Sequence, residues 1–464
     1  MATAVAPTML VATMTPATIT LARITPAGSR RRDHPGAITG HDHPATVTSP
    51  ARGPLGWCVV TRPSAHADRL VPPAQHPPGG FPLVGVVGAG QLARMMHAPA
   101  TALGLGLRVL SEAPDASAAL VVPQSPPGHH TDLDALRRLA AECDVVTFDH
   151  EHVPPEHLRA LEAAGAVVHP SSSALLHAQD KVVMRRRLTE LGVPCPRWAE
   201  VGDRAALERF GAEVGWPLVL KTPRGGYDGK GVLLVGSPEE AGDWLARLGP
   251  DDVLLAEERV AFTRELAVLV ARSPMGQASA WPVVETVQEN GICTEVIAPA
   301  PDLSPDLAAN VTAAALRVAG ALDVTGVLAV ELFELPARPG EAPAFVVNEL
   351  AMRPHNSGHW SIDGAVTSQF EQHLRAVLDL PLGDPRPRAR WTVMANVLGG
   401  DYPELYSAYR HLLARDPGLK VHIYGKTVRP GRKIGHVTAC GDDLADLRRR
   451  ARHAADFLRG VVTE

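Results

Sequence analysis

Residues 345–359 read FVVNELAMRPHNSGH, and this run limits the possible architectures more than any other part of the chain. Phe345, Val346 and Val347 predict a strand, and Asn348 and Glu349 stand at its polar end. Arg353, His355, Asn356, Ser357 and His359 follow, a stretch dense in hydrogen-bonding groups and poor in core-formers. A strand that delivers a carboxylate into a polar loop lets a sheet offer oxygen ligands to a magnesium ion carrying substrate phosphates. An Asn-Glu pair by itself fits a solvated loop equally well. A second acidic strand and a basic glycine loop upstream argue for more.

The second acidic strand is GVLAVELFEL, residues 326–335, with Glu331 set between apolar neighbours on both sides. A Pro- and Gly-rich connection joins it to residues 344–350, so the two are expected to pair as a hairpin with Glu331 and Glu349 facing one cation. The basic loop is KTPRGGYDGKG, residues 221–231, lying between two apolar runs. It lacks the order of a P-loop. A glycine hairpin of this kind can close over a triphosphate, offering backbone N–H groups and a lysine. A mobile surface hairpin is the plainer alternative, but Lys221 ends an apolar strand, where a charge needs a partner.

Nearer the N-terminus, residues 83–87 form an apolar run that ends in Gly88-x-Gly90-x-x-Ala93 and opens a helix over 91–103. Such a turn admits an anion to a helix N-terminus, and Glu112 follows where a nicotinamide enzyme holds its ribose. The same loop suits a substrate phosphate, or merely packs a helix on a sheet. Strands over 108–110, 145–148 and 166–168 alternate with helices over 132–143 and 155–164, which predicts a parallel sheet. His150, Glu151 and His152 resemble metal ligands, since i and i+2 on a strand share a face, but a polar strand end is the plainer reading. One long amphipathic helix is expected over 171–191. Short alternating strands between 265 and 297 point to antiparallel pairing, with further helices over 306–322, 362–378 and 442–461 and a strand over 391–397. The fold class is therefore α/β passing into α+β.

At 464 residues the chain is long enough for roughly two to four domains. A net charge of −5 gives no general attraction to nucleic acid, and no apolar run reaches bilayer length. Cys58, Cys143, Cys195, Cys293 and Cys440 are odd in number and form no CxxC pair, which fits a reducing cytoplasm. Residues 1–80, rich in Pro, Thr and Ala, are expected to be a disordered extension.

In this order the motifs resemble the ATP-grasp superfamily and, within it, the N5-carboxyaminoimidazole ribonucleotide synthase family. The likeness covers about residues 82–460 and rests on GAGQLARM at Gly88, GGYDGKG at Gly225, VNELAMRPHNSGH at Val347 and YGKTVRPGRKIGH at Tyr424. It implies a Rossmann-like parallel-sheet domain over 81–180 and an ATP-grasp domain over 181–385, with a phosphate-covering subdomain at about 194–262. A small C-terminal domain over 386–464 and assembly as a homodimer complete the implied architecture. The implied reaction phosphorylates bicarbonate with ATP and Mg²⁺, then carboxylates 5-aminoimidazole ribonucleotide (AIR); the partners are small molecules, with no nucleic acid and no membrane.

The resemblance also assigns residues. Lys181 and Lys221 are cations near the nucleotide, and Gly226, Tyr227, Asp228, Gly229, Lys230, Gly231 and Val232 form the loop over its phosphates. Glu257, Glu258, Arg259 and Val260 match the adenine hinge, and Glu265 the ribose acid. Glu331 and Glu349, with Asn348 beside the latter, match the magnesium ligands. Lys426, Arg432 and Lys433 match a grip on the AIR phosphate, and Arg353, His355, Asn356 and Ser357 the wall around aminoimidazole and carboxyphosphate. Gln91, Tyr227 and Asp228 also face that substrate, and no general base is assigned. The acceptor motifs RPHNSGH and RPGRKIGH separate this family from other ATP-grasp ligases, such as formate-dependent glycinamide ribonucleotide transformylase. A nicotinamide-dependent oxidoreductase leaves the glycine hairpin and both acidic strands unexplained.

Overall fold

The computed structural model describes residues 74–226, 231–337, 340, 342, 344–402 and 404–462. Tyr227, Asp228, Gly229 and Lys230 of the flap, and residues 1–73 of the expected extension, lie outside them. All described residues belong to one compact unit, 68–464.

The strand Leu83–Val87 is apolar and buried along its whole length, as a parallel strand covered on both faces must be. It pairs in parallel with Gly106–Leu110 on one side and Val145–Phe148 on the other. The fourth strand expected over 166–168 shrinks to one parallel bridge between Val146 and Val168. Pro170 follows two residues later and has no N–H with which to extend a ladder. Attachment to this sheet starts ahead of Phe81: Gln75 and Gln124 exchange two hydrogen bonds of 2.9 Å.

The single helix expected over 171–191 is two helices, Ser172–Gln179 and Lys181–Glu190. Asp180 interrupts them in an extended conformation and accepts from the Val182 and Val183 N–H groups, so a side chain offers the backbone an alternative to the helix. The break makes Lys181 the first residue of a new helix. In the same way, the helix expected over 362–378 divides into Ser361–Gly364 and Gln369–Val377, with Ser368 capping the second.

The central sheet is antiparallel and has nine strands. Its path runs Phe345–Ala351, Gly326–Glu334, Arg264–Arg272, Val284–Glu289, Ile292–Ala298, Trp391–Leu398, Lys433–Gly441 and Lys420–Ile423, with Ala278–Ala280 paired to Arg264–Arg272. The C-terminal strands thus extend this sheet rather than building one of their own, and Ala395 pairs with Glu295 at the join. Lys433 is thereby carried on the same sheet as Glu331. The helix Pro305–Ala321 covers one face, burying Leu307, Val311 and Val318 in a core shared with Leu328 and Val330. A separate four-stranded antiparallel sheet comprises Trp198–Val201, Leu254–Glu258, Leu218–Lys221 and Val232–Val235. Its own small core is formed by Val201, Leu207, Phe210, Leu218 and Leu220. Among the described residues, no helix is long and apolar enough to cross a membrane.

Candidate active site

The two acidic strands pair as expected. Gly326–Glu334 and Phe345–Ala351 are antiparallel, and Glu331 lies directly opposite Glu349. Residues opposed across such a ladder share a face at about 5 Å between Cβ atoms, so the two carboxylates confront one another. Each meets a cationic or donor group: Glu349 accepts from Lys181 Nζ at 2.9 Å, and Glu331 lies 3.1 Å from His355 Nε2. Burial pushes the Glu331 carboxyl up. The hydrogen bond and charge of His355, with Lys433 and Arg353 behind it, outweigh burial and hold it below the usual range. Glu265 has only a hydrogen bond from Gln288 to set against burial. Burial, then the charge of Glu331, raises it to about 7.

Like charges directly opposed across a ladder are destabilising unless something lies between them. Glu331, Glu349 and the Asn348 amide oxygen supply only hard oxygen donors, the set that a magnesium ion takes and that thiolate- or imidazole-seeking metals do not. The residues therefore fit the ion that the resemblance implies.

The Glu265 shift carries a sign. A carboxyl raised from 4.5 to about 7 by folding stabilises the folded state fully below 4.5, and that contribution is lost as pH rises through about 7. In metal-free buffer, Glu265→Gln is accordingly expected to raise Tm relative to the parent at pH 8 and to lose that advantage at pH 4.5. Equal differences at both pH values, read by scanning fluorimetry, would place Glu265 in a solvated position.

Around this pair lies one cleft of about 2100 Å³. Lys181, Lys221, Gly226, Val232, Glu257, Glu258, Arg259, Val260, Glu265, Asn348 and Glu349 line it together with Gln91, Arg353, His355, Asn356, Ser357, Lys426, Arg432 and Lys433. Every described candidate except Gly231 is thus brought to the same walls. Gly231 lies behind, at φ +74°, where a Cβ would come within 2.5 Å of Thr222 Oγ1; its carbonyl accepts from Thr222 N at 3.0 Å and closes the base of the hairpin. Only glycine fits that position.

Several of these side chains act on one another. Lys221 donates to Asn348 Oδ1 at 3.1 Å and lies 2.7 Å from Glu257, which is the partner its place at a strand end required. Glu257, at the end of the strand Leu254–Glu258, is buried and also takes Arg185 Nε at 2.5 Å. Burial would raise Glu257, but Arg185 and Lys221 hold it below its ordinary range. The Asn356 amide is committed to Asn396, the two exchanging bonds of 2.9 and 2.8 Å, so it braces the loop rather than facing the cleft freely. Arg353 is held by Glu151 at 2.6 Å, and Lys426 donates to Gln91 at 2.5 Å, bridging the C-terminal motif to the first glycine loop.

Sequence reasoning missed Arg185, Glu151 and Asp149. Arg185 is wholly buried and gave no signal beyond its polarity on a helix. Asp149 explains the first glycine loop. Its carboxylate accepts from Gly90 N at 2.7 Å and Ala93 N at 2.8 Å, and a Cβ on Gly90 would lie 2.1 Å from it. The helix N-terminus that would receive a dinucleotide pyrophosphate is already satisfied by an internal anion. Glu112 is bound to His130 at 2.6 Å. The nicotinamide reading loses both of its supports.

Comparison with known proteins agrees with this geometry. The chain matches the ribonucleotide synthetase preATP-grasp domain over residues 82–179, the ATP-grasp domain over 186–370 and the phosphoribosylaminoimidazole carboxylase C-terminal domain over 392–450. It is 56% identical to N5-carboxyaminoimidazole ribonucleotide synthase of Mycobacterium tuberculosis, over 81% of this chain and 88% of that one. It is 49% identical to the synthase of Corynebacterium ammoniagenes, over 83% and 94% respectively. Among solved structures, that of the Aspergillus clavatus enzyme with ADP and 5-aminoimidazole ribonucleotide aligns at a TM-score of 0.73 and 32% identity, covering 82% of this chain and 99% of its own. The Thermus thermophilus synthetase aligns at 0.71 and 39% identity, covering 82% and 99%. With three consecutive domain matches and a relative 56% identical along four fifths of its length, the chain belongs to the N5-carboxyaminoimidazole ribonucleotide synthase family of ATP-grasp ligases.

Proposed function

We propose that this chain carboxylates the exocyclic amine of 5-aminoimidazole ribonucleotide at the expense of ATP and bicarbonate, giving N5-carboxyaminoimidazole ribonucleotide, ADP and phosphate in purine biosynthesis. The γ-phosphoryl group passes to a bicarbonate oxygen, and carboxyphosphate then breaks to CO₂ and phosphate. The amine nitrogen attacks CO₂, a C–N bond forms, and the proton it sheds goes to the departing phosphate. The observation that carries the reading is the face-to-face placement of Glu331 and Glu349 in a cleft shared with Lys181, Lys221 and the RPHNSGH loop.

In this reading Glu331 and Glu349 hold Mg²⁺, with Asn348 beside them; when bound, the ion offsets phosphate charge as the phosphoryl group moves. Lys181 and Lys221 place positive charge on the ATP phosphates, and Glu258 to Val260 and Glu265 receive adenine and ribose. Arg353, His355 and Ser357 form the wall near aminoimidazole, and Gln91 orients Lys426. Lys426, Arg432 and Lys433 grip the AIR 5′-phosphate. Homodimeric assembly and a cytoplasmic setting belong to the same proposal and rest on the family resemblance.

The direct test supplies ATP, Mg²⁺, bicarbonate and AIR to the purified protein and omits each in turn. One ADP and one phosphate are expected per N5-carboxyaminoimidazole ribonucleotide formed, and AIR-independent ADP formation at the full rate would overturn the assignment. The phosphate grip has its own test. Lys433→Ala is expected to raise KM for AIR tenfold or more, on the order of 1.4 kcal/mol, while the KM for ATP holds. A change confined to the ATP KM would move Lys433 to the nucleotide.

A further inference from the structure

Two successive connections of the parallel sheet, 111–132 and 149–154, carry metal-competent side chains. Glu112 follows the strand Gly106–Leu110, His130 precedes the helix Leu133–Glu142, and His150 follows the strand Val145–Phe148. They are 18 and 20 residues apart in sequence, yet one ligand atom from each lies within 4.8 Å of the other two. Further imidazoles frame the cluster: His129 is stacked on His130 at 4.2 Å between ring centroids, and His152 on His150 at 5.1 Å. His129 Nε2 is itself 3.4 Å from Glu112.

The neighbouring acids are already spent. Asp149 is bound by the backbone N–H groups of Gly90 and Ala93, and Glu151 by Arg353. Glu112 is paired with imidazoles instead, 2.6 Å from His130 Nδ1 and 3.4 Å from His129 Nε2. A polar strand end accounts for one histidine, or two. It does not account for four imidazoles and one carboxylate converging from two separate connections.

We propose that Glu112, His130 and His150 form a binding site for Zn²⁺, distinct from the magnesium site, with His129 or His152 within reach as a fourth ligand. Two imidazole nitrogens and one carboxylate oxygen are a ligand set that zinc uses, whereas Mg²⁺ prefers oxygen alone. Ligand atoms in a tetrahedral zinc site at 2.0–2.1 Å stand about 3.3 Å apart. All three ligand atoms lie within 4.8 Å of one another and Glu112 is 2.6 Å from His130 Nδ1, so each separation is within about 1.5 Å of that spacing, a difference that a rotamer change at the exposed Glu112 can absorb. A bound ion ties together two loops at the carboxyl edge of the parallel sheet. Because His150 and His152 also line the rim of the cleft, it fixes the side on which Gln91 and Lys426 meet.

The test uses untagged full-length protein stripped with a chelator and titrated with Co²⁺, whose visible absorption reports coordination by nitrogen and oxygen ligands. A saturable signal is expected, displaced by Zn²⁺ and untouched by excess Mg²⁺. Glu112→Gln and His130→Asn, which change side chains away from the core, are each expected to weaken Co²⁺ at least tenfold without shifting the metal-free Tm. Zn²⁺ is expected to raise the Tm of the parent and not of either variant. The chain carries other histidines, His41 and His43 among them, so the variants decide the location. Absence of a saturable signal, or an unchanged affinity in both variants, overturns the site.

Discussion

Glu349→Ala is expected to reduce AIR-dependent ADP formation by about a thousandfold or more, the scale seen when a preorganised electrostatic partner of a transition state is removed. Stability should change little by comparison. The Glu349 side chain is 42% exposed, and its ion pair with Lys181 is open enough to water to count for little in folding. A loss of kcat with an unchanged melting curve separates a site role from a folding role. Glu349→Gln adds a second control, because it keeps the volume and an acceptor for Lys181 while removing the charge. If both variants turn over AIR at the parental rate, Glu349 holds no metal. If only the alanine variant fails, packing rather than charge is responsible.

Much of this was legible in the sequence because it depended on local pattern. The apolar runs around Glu331 and Glu349 are what a buried hairpin needs, and a Pro- and Gly-rich connection makes antiparallel pairing the simple solution. The helix break at Asp180 was missed because helical periodicity continues across it. What decides the matter is a side-chain carboxylate accepting two backbone N–H groups, and composition does not display that competition. Asp149 was missed for a related reason. It lies 59 residues from Gly90, and a motif scan sees the glycine turn without seeing what fills it. The growth of the central sheet by C-terminal strands was also hidden, since each strand reads alike whether it pairs with its own domain or with another.

The buried charges behind the cleft were the least legible part, and they give the second large effect. Arg185→Met is expected to destabilise the protein by about 3–5 kcal/mol, because Glu257 is left buried with Lys221 as its remaining cation. Arg185 is wholly buried and Glu257 is 3% exposed, so water cannot take over the lost interaction. The guanidinium also donates to the Asn348 carbonyl at 2.6 Å, and it therefore ties the helix Lys181–Glu190 to the strands that carry Glu257 and Glu349. Its removal should raise the KM for ATP as well as lower Tm. The sign with pH follows from the Glu257 carboxyl, which folding lowers from 4.5: the pair's contribution is complete above 4.5 and is lost as pH falls through the folded value. The difference in Tm between Arg185→Met and the parent should hence narrow in acid. Coupling is the sharper measurement. Arg185→Met with Glu257→Leu replaces both charges by apolar groups, and the double variant is expected to be more stable than Arg185→Met alone while staying impaired with ATP, since Lys221 has lost its anchor. Additive losses across that cycle would mean that the two side chains do not act as a pair, and the bracing of the nucleotide wall by Arg185 would have to be abandoned.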